Sequence, residues 1–260
     1  MTDLDASLFA VNFSDVHFEI GRYFDELIPA QKKTKIDIPD VMGYKQLKKK
    51  FLPRNIPILG ILHADTKAQL ITRIETLKEF LYYDDPAQLI FNDKSDRYYL
   101  VEYDGKQELQ KRGQFVPLRL NFVADDPFGY AVTADDDDET GIVIDGHTWN
   151  ITNSGQYYAY PVITITMNQE QTHLYIKNNS LSDNRFDITK TMAIGKTLVI
   201  DSKNMTIAYD GSDSPAGFGD GGESSADFIL LKTGVNELQI GTDDATINVD
   251  VNVTFRKIYL

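Results

Sequence analysis

The sequence changes character at a junction near its middle, between residues 118 and 139. The stretch Leu118 to Val123 alternates apolar and polar residues, as a half-buried strand does, and it stops at the proline turn Asp126-Pro127-Phe128-Gly129. The acidic run Asp135-Asp136-Asp137-Asp138-Glu139 follows a few residues later. Before the junction the patterns indicate strands, one helix and a hairpin. After it they indicate only short strands and polar turns, so the chain is expected to form two differently built parts.

The first part contains a basic stretch followed by an apolar strand. Two short alternating segments, Val16 to Ile20 and Lys35 to Ile38, come first. The next stretch, residues 41–64, has no acidic residue and carries five basic residues before its apolar strand: Lys45, Lys48, Lys49, Lys50 and Arg54. Residues 56–62 then predict a strand. Because proline cannot donate to a central ladder, Pro57 predicts that this strand is an edge strand or carries a bulge.

A capped helix and a hairpin complete the first part. Thr66 is followed three residues later by Gln69, which is the pattern of a capping box. Apolar residues then recur at helical spacing, which predicts one buried stripe: Leu70, Ile74, Leu77 and Leu81. The sequence Asp84-Asp85-Pro86 cannot continue a helix, so the helix is expected to end near Tyr83. Residues 87–91 and 97–103 predict the two strands of a hairpin around a polar turn.

The second part has the rhythm of a β-sandwich. Predicted strands recur roughly every ten residues, with turn signals between them. A Gly, Ser and Asp-rich loop is expected at residues 210–223. The predicted strands lie at residues 141–146, 162–167, 174–176, 186–188, 198–200, 205–209, 228–231, 237–240 and 246–255.

The net charge of −13 is concentrated in the second part. Residues 131–260 carry 8 Lys and Arg against 19 Asp and Glu, whereas residues 1–130 carry 18 against 20. The second part is therefore a poor candidate for binding a phosphate backbone, and cationic partners or solubility are the better interpretations. The chain has no cysteine, which excludes disulfides, zinc–thiolate sites and thiol catalysis.

The N-terminus shows no basic region followed by an apolar core, and no apolar run approaches the roughly 18–20 residues of a membrane span. We therefore expect a soluble chain made in a host cytoplasm, without a signal peptide or a membrane anchor.

No catalytic, cofactor or metal site is predicted. The four histidines, His17, His63, His147 and His173, are scattered without ligand spacing. The acidic run lacks the spacing of an EF-hand loop and is interpreted as a solvated linker. Neither a phosphate loop nor a nucleophile elbow is present.

Two other features have two interpretations each. The basic run from Lys45 to Arg54 could meet nucleic acid, or it could be an exposed β-arm that contacts another subunit, since lysines commonly guard strand edges. Trp149, with Tyr157, Tyr158 and Tyr160 close behind, could stack on a sugar or pack in a sandwich core.

The order of these motifs resembles the distal tail protein family of long, flexible-tailed bacteriophages, the phage tail hub family. The resemblance covers nearly the whole chain. It rests on the arm, the capped helix, the hairpin ending in Arg97-Tyr98-Tyr99 and the closing stretch from Leu120 to Tyr130. In the second part it rests on Asn153-Ser154-Gly155, Tyr160-Pro161-Val162-Ile163, Leu231-Lys232-Thr233-Gly234-Val235-Asn236 and Phe255-Arg256-Lys257-Ile258-Tyr259-Leu260. One departure is that residues 39–44 replace the Gly-Arg-Asp-Gly-like turn of many relatives.

The resemblance implies a mostly β fold of two domains. Residues 1–133 would form an N-terminal β-sandwich with one helix and a hairpin, residues 134–140 an acidic linker, and residues 141–260 a galectin-like β-sandwich. Six N-terminal domains would close into a ring at the end of the tail tube, with the C-terminal domains projecting outward. The turn at residues 126–130 would close the first core, with Phe128 and Tyr130 as its anchors.

The predicted function is a non-enzymatic structural virion protein at the tail tip. It would form a homo-oligomeric, hexameric hub, and its partners would be the tail tube protein, a tail tip, fibre or tail-associated lysin protein, and receptor-binding or baseplate proteins. No sequence-specific nucleic acid and no cofactor are expected. The main alternative is a carbohydrate-binding module for cell-wall glycans that uses Trp149, and a wall-degrading hydrolase is a third.

Overall fold

A computed structural model describes residues 4–24, 26–37, 44–105, 113–182, 184–213, 228–244 and 246–260. The chain divides into two compact units, Met1–Val132 with Leu260, and Thr133–Tyr259. The mostly β class predicted from the sequence is confirmed, with a single α-helix in the described part of the chain. That part contains no helix with the length and apolarity of a membrane span.

The described residues of unit 1 form ten strands, the helix α1 and two short 3-10 helices, Phe13–Val16 and Asn92–Lys94. Its elements are β1 (Ala6–Leu8), β2 (Val11–Asn12), β3 (Phe18–Tyr23), β4 (Gln31–Asp37), β5 (Tyr44–Phe51), β6 (Arg54–His63), α1 (Lys67–Leu81), β7 (Ala87–Phe91), β8 (Arg97–Tyr103), β9 (Phe115–Ala124) and β10 (Gly129–Ala131).

The main sheet of unit 1 has the order β2-β1-β7-β8-β9-β6-β3, and β10 pairs with β8. Strands β8 and β9 share only the pairs Glu102↔Val123 and Tyr103↔Phe122, so the sheet is joined weakly at this point. Residues from both halves of the sheet, such as Leu89 and Leu120, belong to one buried core. The two halves therefore enclose a common apolar interior with the helix, as in a sandwich.

The sequence predicts an edge strand or a bulge at Pro57. The edge is wrong, because β6 lies between β9 and β3, and the irregularity of the β3–β6 ladder lies between Ile20 and Arg22 of β3 rather than at Pro57. Pro57 is opposite Asn121 of β9, and its carbonyl accepts from the amide of Phe24 at 3.1 Å, just beyond the end of β3. The amide and carbonyl of a strand residue point to the same side. The missing N–H of Pro57 therefore falls where the ladder with β3 has already ended.

Helix α1 forms as the sequence predicts. Thr66 accepts from the Gln69 amide at 3.2 Å, and the Gln69 side chain accepts from the Thr66 amide at the same distance, which completes the capping box. The helix buries Leu70, Ile74 and Leu77 in the core of unit 1 and ends at Leu81. Its apolar stripe thus covers the sheet and leaves the opposite face to solvent.

Eleven strands are seen in the part of unit 2 that the structure describes. They are β11 (Asp135–Ile142), β12 (His147–Asn153), β13 (Val162–Met167), β14 (Gln171–Asn178), β15 (Arg185–Met192), β16 (Thr197–Asp201), β17 (Thr206–Tyr209), β18 (Ser212–Asp213), β19 (Gly234–Gly241), β20 (Val249–Phe255) and β21 (Ile258–Tyr259).

Two sheets of unit 2 share one core. The first has the order β11-β20-β13-β16-β17-β18 and the second the order β12-β19-β14-β15. Alternate residues of facing strands are buried, including Ile163 and Val251 from the first sheet and Ile176 and Leu238 from the second. This period-two burial is the reason the short alternating segments of the sequence form a two-layer unit.

Residues 134–140 are not a solvated linker. Residues 135–142 form strand β11, whose pairs with β20 run from Asp135↔Phe255 to Ile142↔Val249. The predicted strand at 141–146 is also displaced, since Val143 and Ile144 are exposed and β12 begins at His147. Consecutive carboxylates have low strand propensity, but pairing with β20, which alternates buried apolar and half-buried polar residues, overrides it. Residues 228–231 contribute only the bridge Ala159↔Leu231.

Candidate functional site

The most distinctive surface of unit 1 is a two-stranded ribbon formed by β4 and β5. The strands pair antiparallel from Gln31↔Phe51 to Asp37↔Tyr44, with an irregularity after Thr34. Among the described residues no further strand pairs with either edge of this ribbon. Because an isolated two-stranded ribbon is marginally stable in water, this element is of the kind that gains stability from a partner.

Both faces of the ribbon are basic. Lys32 lies opposite Lys50, and Lys33 lies opposite Lys49 on the other face. These four lysines are exposed, as are the neighbouring Lys35 and Lys48. Like charges placed directly opposite each other destabilise a strand pair, so the ribbon is electrostatically suited to an anionic partner.

The ribbon is fixed at its base by backbone and ring contacts. The Leu52 amide donates to the Ala30 carbonyl at 2.8 Å, which extends the pairing beyond β4 and β5. The half-buried ring of Phe51 meets Phe128 edge to face, with centroids 5.1 Å apart. Arg54 follows at once in β6 and is completely buried, with its guanidinium 5.2 Å from the Tyr99 ring centroid. These contacts attach the lysine faces to the main sheet of unit 1.

The junction turn contributes to this base. The Tyr130 hydroxyl donates to the Asp126 carboxylate, and the Phe128 amide approaches the same carboxylate at 3.5 Å. Tyr130 is buried and stacks on Tyr98, whereas Phe128 packs on Phe51. Neither ring belongs to the main core cluster of unit 1, so the expected role of Phe128 as a core anchor is corrected to a contact at the base of the ribbon.

The acidic strand β11 forms one end of the first sheet of unit 2. The hydroxyl of Thr254 and the amide of Asn252 donate to Asp136 at 2.7 and 2.8 Å, and these bonds lower the pKa of that carboxyl. Partial burial, together with the charges of Glu139, Asp138 and Asp136, raises the pKa of Asp137. The strand is thus a concentrated negative edge in which Asp137 is the electrostatically unfavourable member.

The histidines lie in separate places. His63 is 3.4 Å from Glu19, His147 is 3.5 Å from Glu139, and His17 has a left-handed φ of 61° after the first 3-10 helix. Only His173 has two carboxylates nearby, Asp187 at 3.4 Å and Asp243 at 3.3 Å. These partners come from other strands and loops, so no spacing in the sequence reveals them. Residues 4–260, apart from the undescribed gaps, contain no group of three potential ligands arranged to hold a metal ion.

Trp149 does not form an open stacking face. It is 7% exposed, belongs to the core of unit 2, and its ring stacks on His147 with centroids 5.9 Å apart. Tyr158 and Tyr160 are exposed at 42% and 37%. A sugar-stacking surface built on Trp149 is therefore corrected to a core contact, because a buried indole cannot receive a sugar ring.

An apolar cavity of about 280 Å³ lies between α1 and the sheet of unit 1. Its walls include Ile74 and Leu77 of the helix and Leu118 and Leu120 of β9. Lys78 is the one charged residue among its lining residues. The cavity is therefore an apolar gap in the packing of the helix on the sheet, and its described lining residues form no cluster of polar groups for chemistry.

Two family models match the chain. Residues 11–124 match the phage tail protein RIFT-related domain, and residues 154–259 match the C-terminal domain of the siphovirus-type tail component. No curated protein sequence matches it.

Among solved structures, the chain is similar to the Dit protein of phage SPP1, described as a paradigm of the hub adsorption apparatus in phages that infect Gram-positive bacteria. The TM-score is 0.79 at 18% identity, and the match covers 99% of each chain. The activated, calcium-bound baseplate of phage p2 gives a TM-score of 0.45 at 7% identity, with 96% of this chain and 97% of that chain covered.

Proposed function

Because this chain belongs to the distal tail protein family of siphovirus-type phages and is a virion component, we propose that it forms the ring-shaped hub at the distal end of the tail. In this role it connects the tail tube to the tail tip or baseplate and to the host-adsorption proteins. The role is structural and involves no catalysis.

The observation that carries this proposal is the basic ribbon, which extends from unit 1 without a third strand among the described residues. A closed ring needs head-to-tail contacts between two different faces of each copy. A ribbon with no further strand on either side among the described residues supplies one such face, because its backbone can add strands to a neighbour. Six copies would close the ring that the family resemblance implies.

The similarity in fold to a known hub protein supports the proposal. The similarity to the SPP1 Dit protein covers both units, and that protein is described as a paradigm of the hub adsorption apparatus. In the proposed hub, unit 1 supplies the ribbon that contacts a neighbouring copy, and unit 2 presents the docking surface for adsorption proteins. The acidic excess of the second part keeps such an exposed unit soluble.

Native mass spectrometry of the purified full-length chain tests the proposal. The hub predicts a species of about 176 kDa, six times the 29.4 kDa of one chain. A folded protein that remains a monomer at every concentration, alone and with the tail tube protein, would argue against the hub.

A further inference from the structure

The free edge of β11 is the acidic counterpart of the basic ribbon. Strand β11 pairs with β20 on one side, and among the described residues no strand pairs with its other side. Such an edge exposes backbone donors and acceptors that can pair with another chain. Inward-pointing charges normally prevent this, because a strand without the opposite charge cannot approach them.

The charges of β11 lie on both faces of the strand. Asp136 and Asp138 are exposed on one face, while Asp135, Asp137 and Glu139 are partly buried on the other. Strand β5 has the matching arrangement, since Lys48, Lys49 and Lys50 are consecutive and exposed, with side chains on alternating faces. If β5 and β11 pair, lysines and carboxylates therefore lie opposite each other on both faces of the joined sheet. A shift of the pairing by one residue keeps opposite charges in contact on both faces.

We propose that residues 48–50 of β5 in one copy pair edge to edge with residues 136–138 of β11 in a second copy. The pairing rests on the proposed function, since it supplies a contact between copies of a ring-forming protein. It joins the two-stranded ribbon to the first sheet of unit 2 in the neighbour. An anionic polymer such as nucleic acid is the competing occupant of the ribbon.

Charge and backbone geometry both favour the second copy over a polymer. Strand β11 offers the ribbon edge a row of backbone groups as well as carboxylates, whereas a polyanion offers charge alone. The pairing also compensates the unfavourable cross-strand contacts of Lys32 with Lys50 and of Lys33 with Lys49. On the acidic side the pairing brings a cation to Asp137. The pKa of this carboxyl is raised first by burial and then by the charges of its acidic neighbours on β11.

Disulfide cross-linking between two different single-cysteine variants tests the pairing directly, because the natural chain contains no cysteine. Purified Lys49→Cys protein is mixed with Asp136→Cys, Asp137→Cys or Asp138→Cys protein and oxidised. Directly opposite residues of paired strands lie about 4.5–5.5 Å apart, which suits a disulfide. We expect a mixed disulfide with at least one of the three, and none with the Glu237→Cys control on β19. No cross-link with any β11 position would overturn the pairing.

Charge reversal with rescue supplies the second test. Reversing Lys48, Lys49 and Lys50 to Glu, or Asp136, Asp137 and Asp138 to Lys, should each raise the apparent dissociation constant of the oligomer by about tenfold or more. Combining both reversals in one chain should restore assembly, with circular dichroism confirming the fold of each variant. Loss without rescue, together with retention of an oligonucleotide probe by the natural chain, would favour the polymer and overturn the pairing.

The failure of the pairing is distinguishable from the failure of the hub. If neither the lysine-to-glutamate variant nor the aspartate-to-lysine variant weakens the oligomer, the pairing is overturned while the hub proposal is retained. A natural chain that stays monomeric would overturn the hub, and the pairing with it.

Discussion

Replacing Trp149 with alanine separates a structural role of this residue from a sugar-binding role. Trp149 is 7% exposed in the core of unit 2, and its indole N–H has no hydrogen-bond partner among the described residues. Truncating a buried Trp to Ala costs about 3–5 kcal/mol. Removing an unpaired buried N–H returns about 1–3 kcal/mol. The midpoints of these two opposing effects leave a net cost of about 2 kcal/mol, within a range of about 0–4 kcal/mol, and we therefore expect Trp149→Ala to lower the free energy of unfolding of unit 2 by about 2 kcal/mol.

The matched control is Trp149→Phe, which keeps an aromatic ring and removes the unpaired donor. Its free energy of unfolding should stay within about 1 kcal/mol of that of the natural chain. Scanning calorimetry of both variants and the natural chain provides the measurement, with a decrease of roughly 10 °C in the Tm of unit 2 for alanine. An alanine variant of unchanged stability that has lost binding to a cell-wall saccharide would refute the burial argument.

Three further predictions concern unit 1. Gly60→Ala would place a methyl group 2.3 Å from the Glu19 carbonyl oxygen and 2.5 Å from the Phe18 ring, so urea unfolding should show a loss of about 1–3 kcal/mol or more; unchanged stability would contradict this packing. Thr66→Ala removes the helix cap and should cost about 1 kcal/mol, whereas Thr66→Ser should cost little, and equal losses would contradict the cap. Burial raises the pKa of Tyr83 from 10.0 to about 12. Because the folded state then holds this proton more tightly than the unfolded state, stability should fall as the pH rises from 10 to 12, and Tyr83→Phe should weaken that dependence in alkaline unfolding curves.

Local patterns predict the parts of this fold that depend on neighbours in sequence. The cap at Thr66 and Gln69 and the stripe from Leu70 to Leu77 specify α1, because both act within a few residues. The alternating segments of unit 2 likewise identify most of its strands, because period-two burial is visible in sequence.

The errors arise where distant strands decide the structure. Strand β6 has neighbours on both sides, and it tolerates Pro57 because β3 ends beside this residue. The acidic run forms a strand because β20, more than one hundred residues later, offers it a partner along its length. The pairing of His173 with Asp187 and Asp243 depends on the packing of β14 against its neighbours in the same way. Such contacts leave no periodic signal in either partner alone.

The candidate site was predicted in outline. The basic run from Lys45 to Arg54 indicates an exposed β-arm, and the structure shows residues 44–51 in a separate ribbon. The cross-strand contacts of Lys32 with Lys50 and of Lys33 with Lys49 could not be predicted, because they depend on the register set at the base of the ribbon. The contact of that base with Phe128 depends on the fold of unit 1 as a whole.

Electron microscopy of the purified full-length protein tests the ring most directly. The hub predicts closed particles whose class averages show six-fold symmetry. Reversal of Lys48, Lys49 and Lys50 to Glu should deplete these particles while the circular dichroism spectrum stays unchanged. A uniform population of single, folded chains at the highest concentrations examined by native mass spectrometry would contradict the proposed hub.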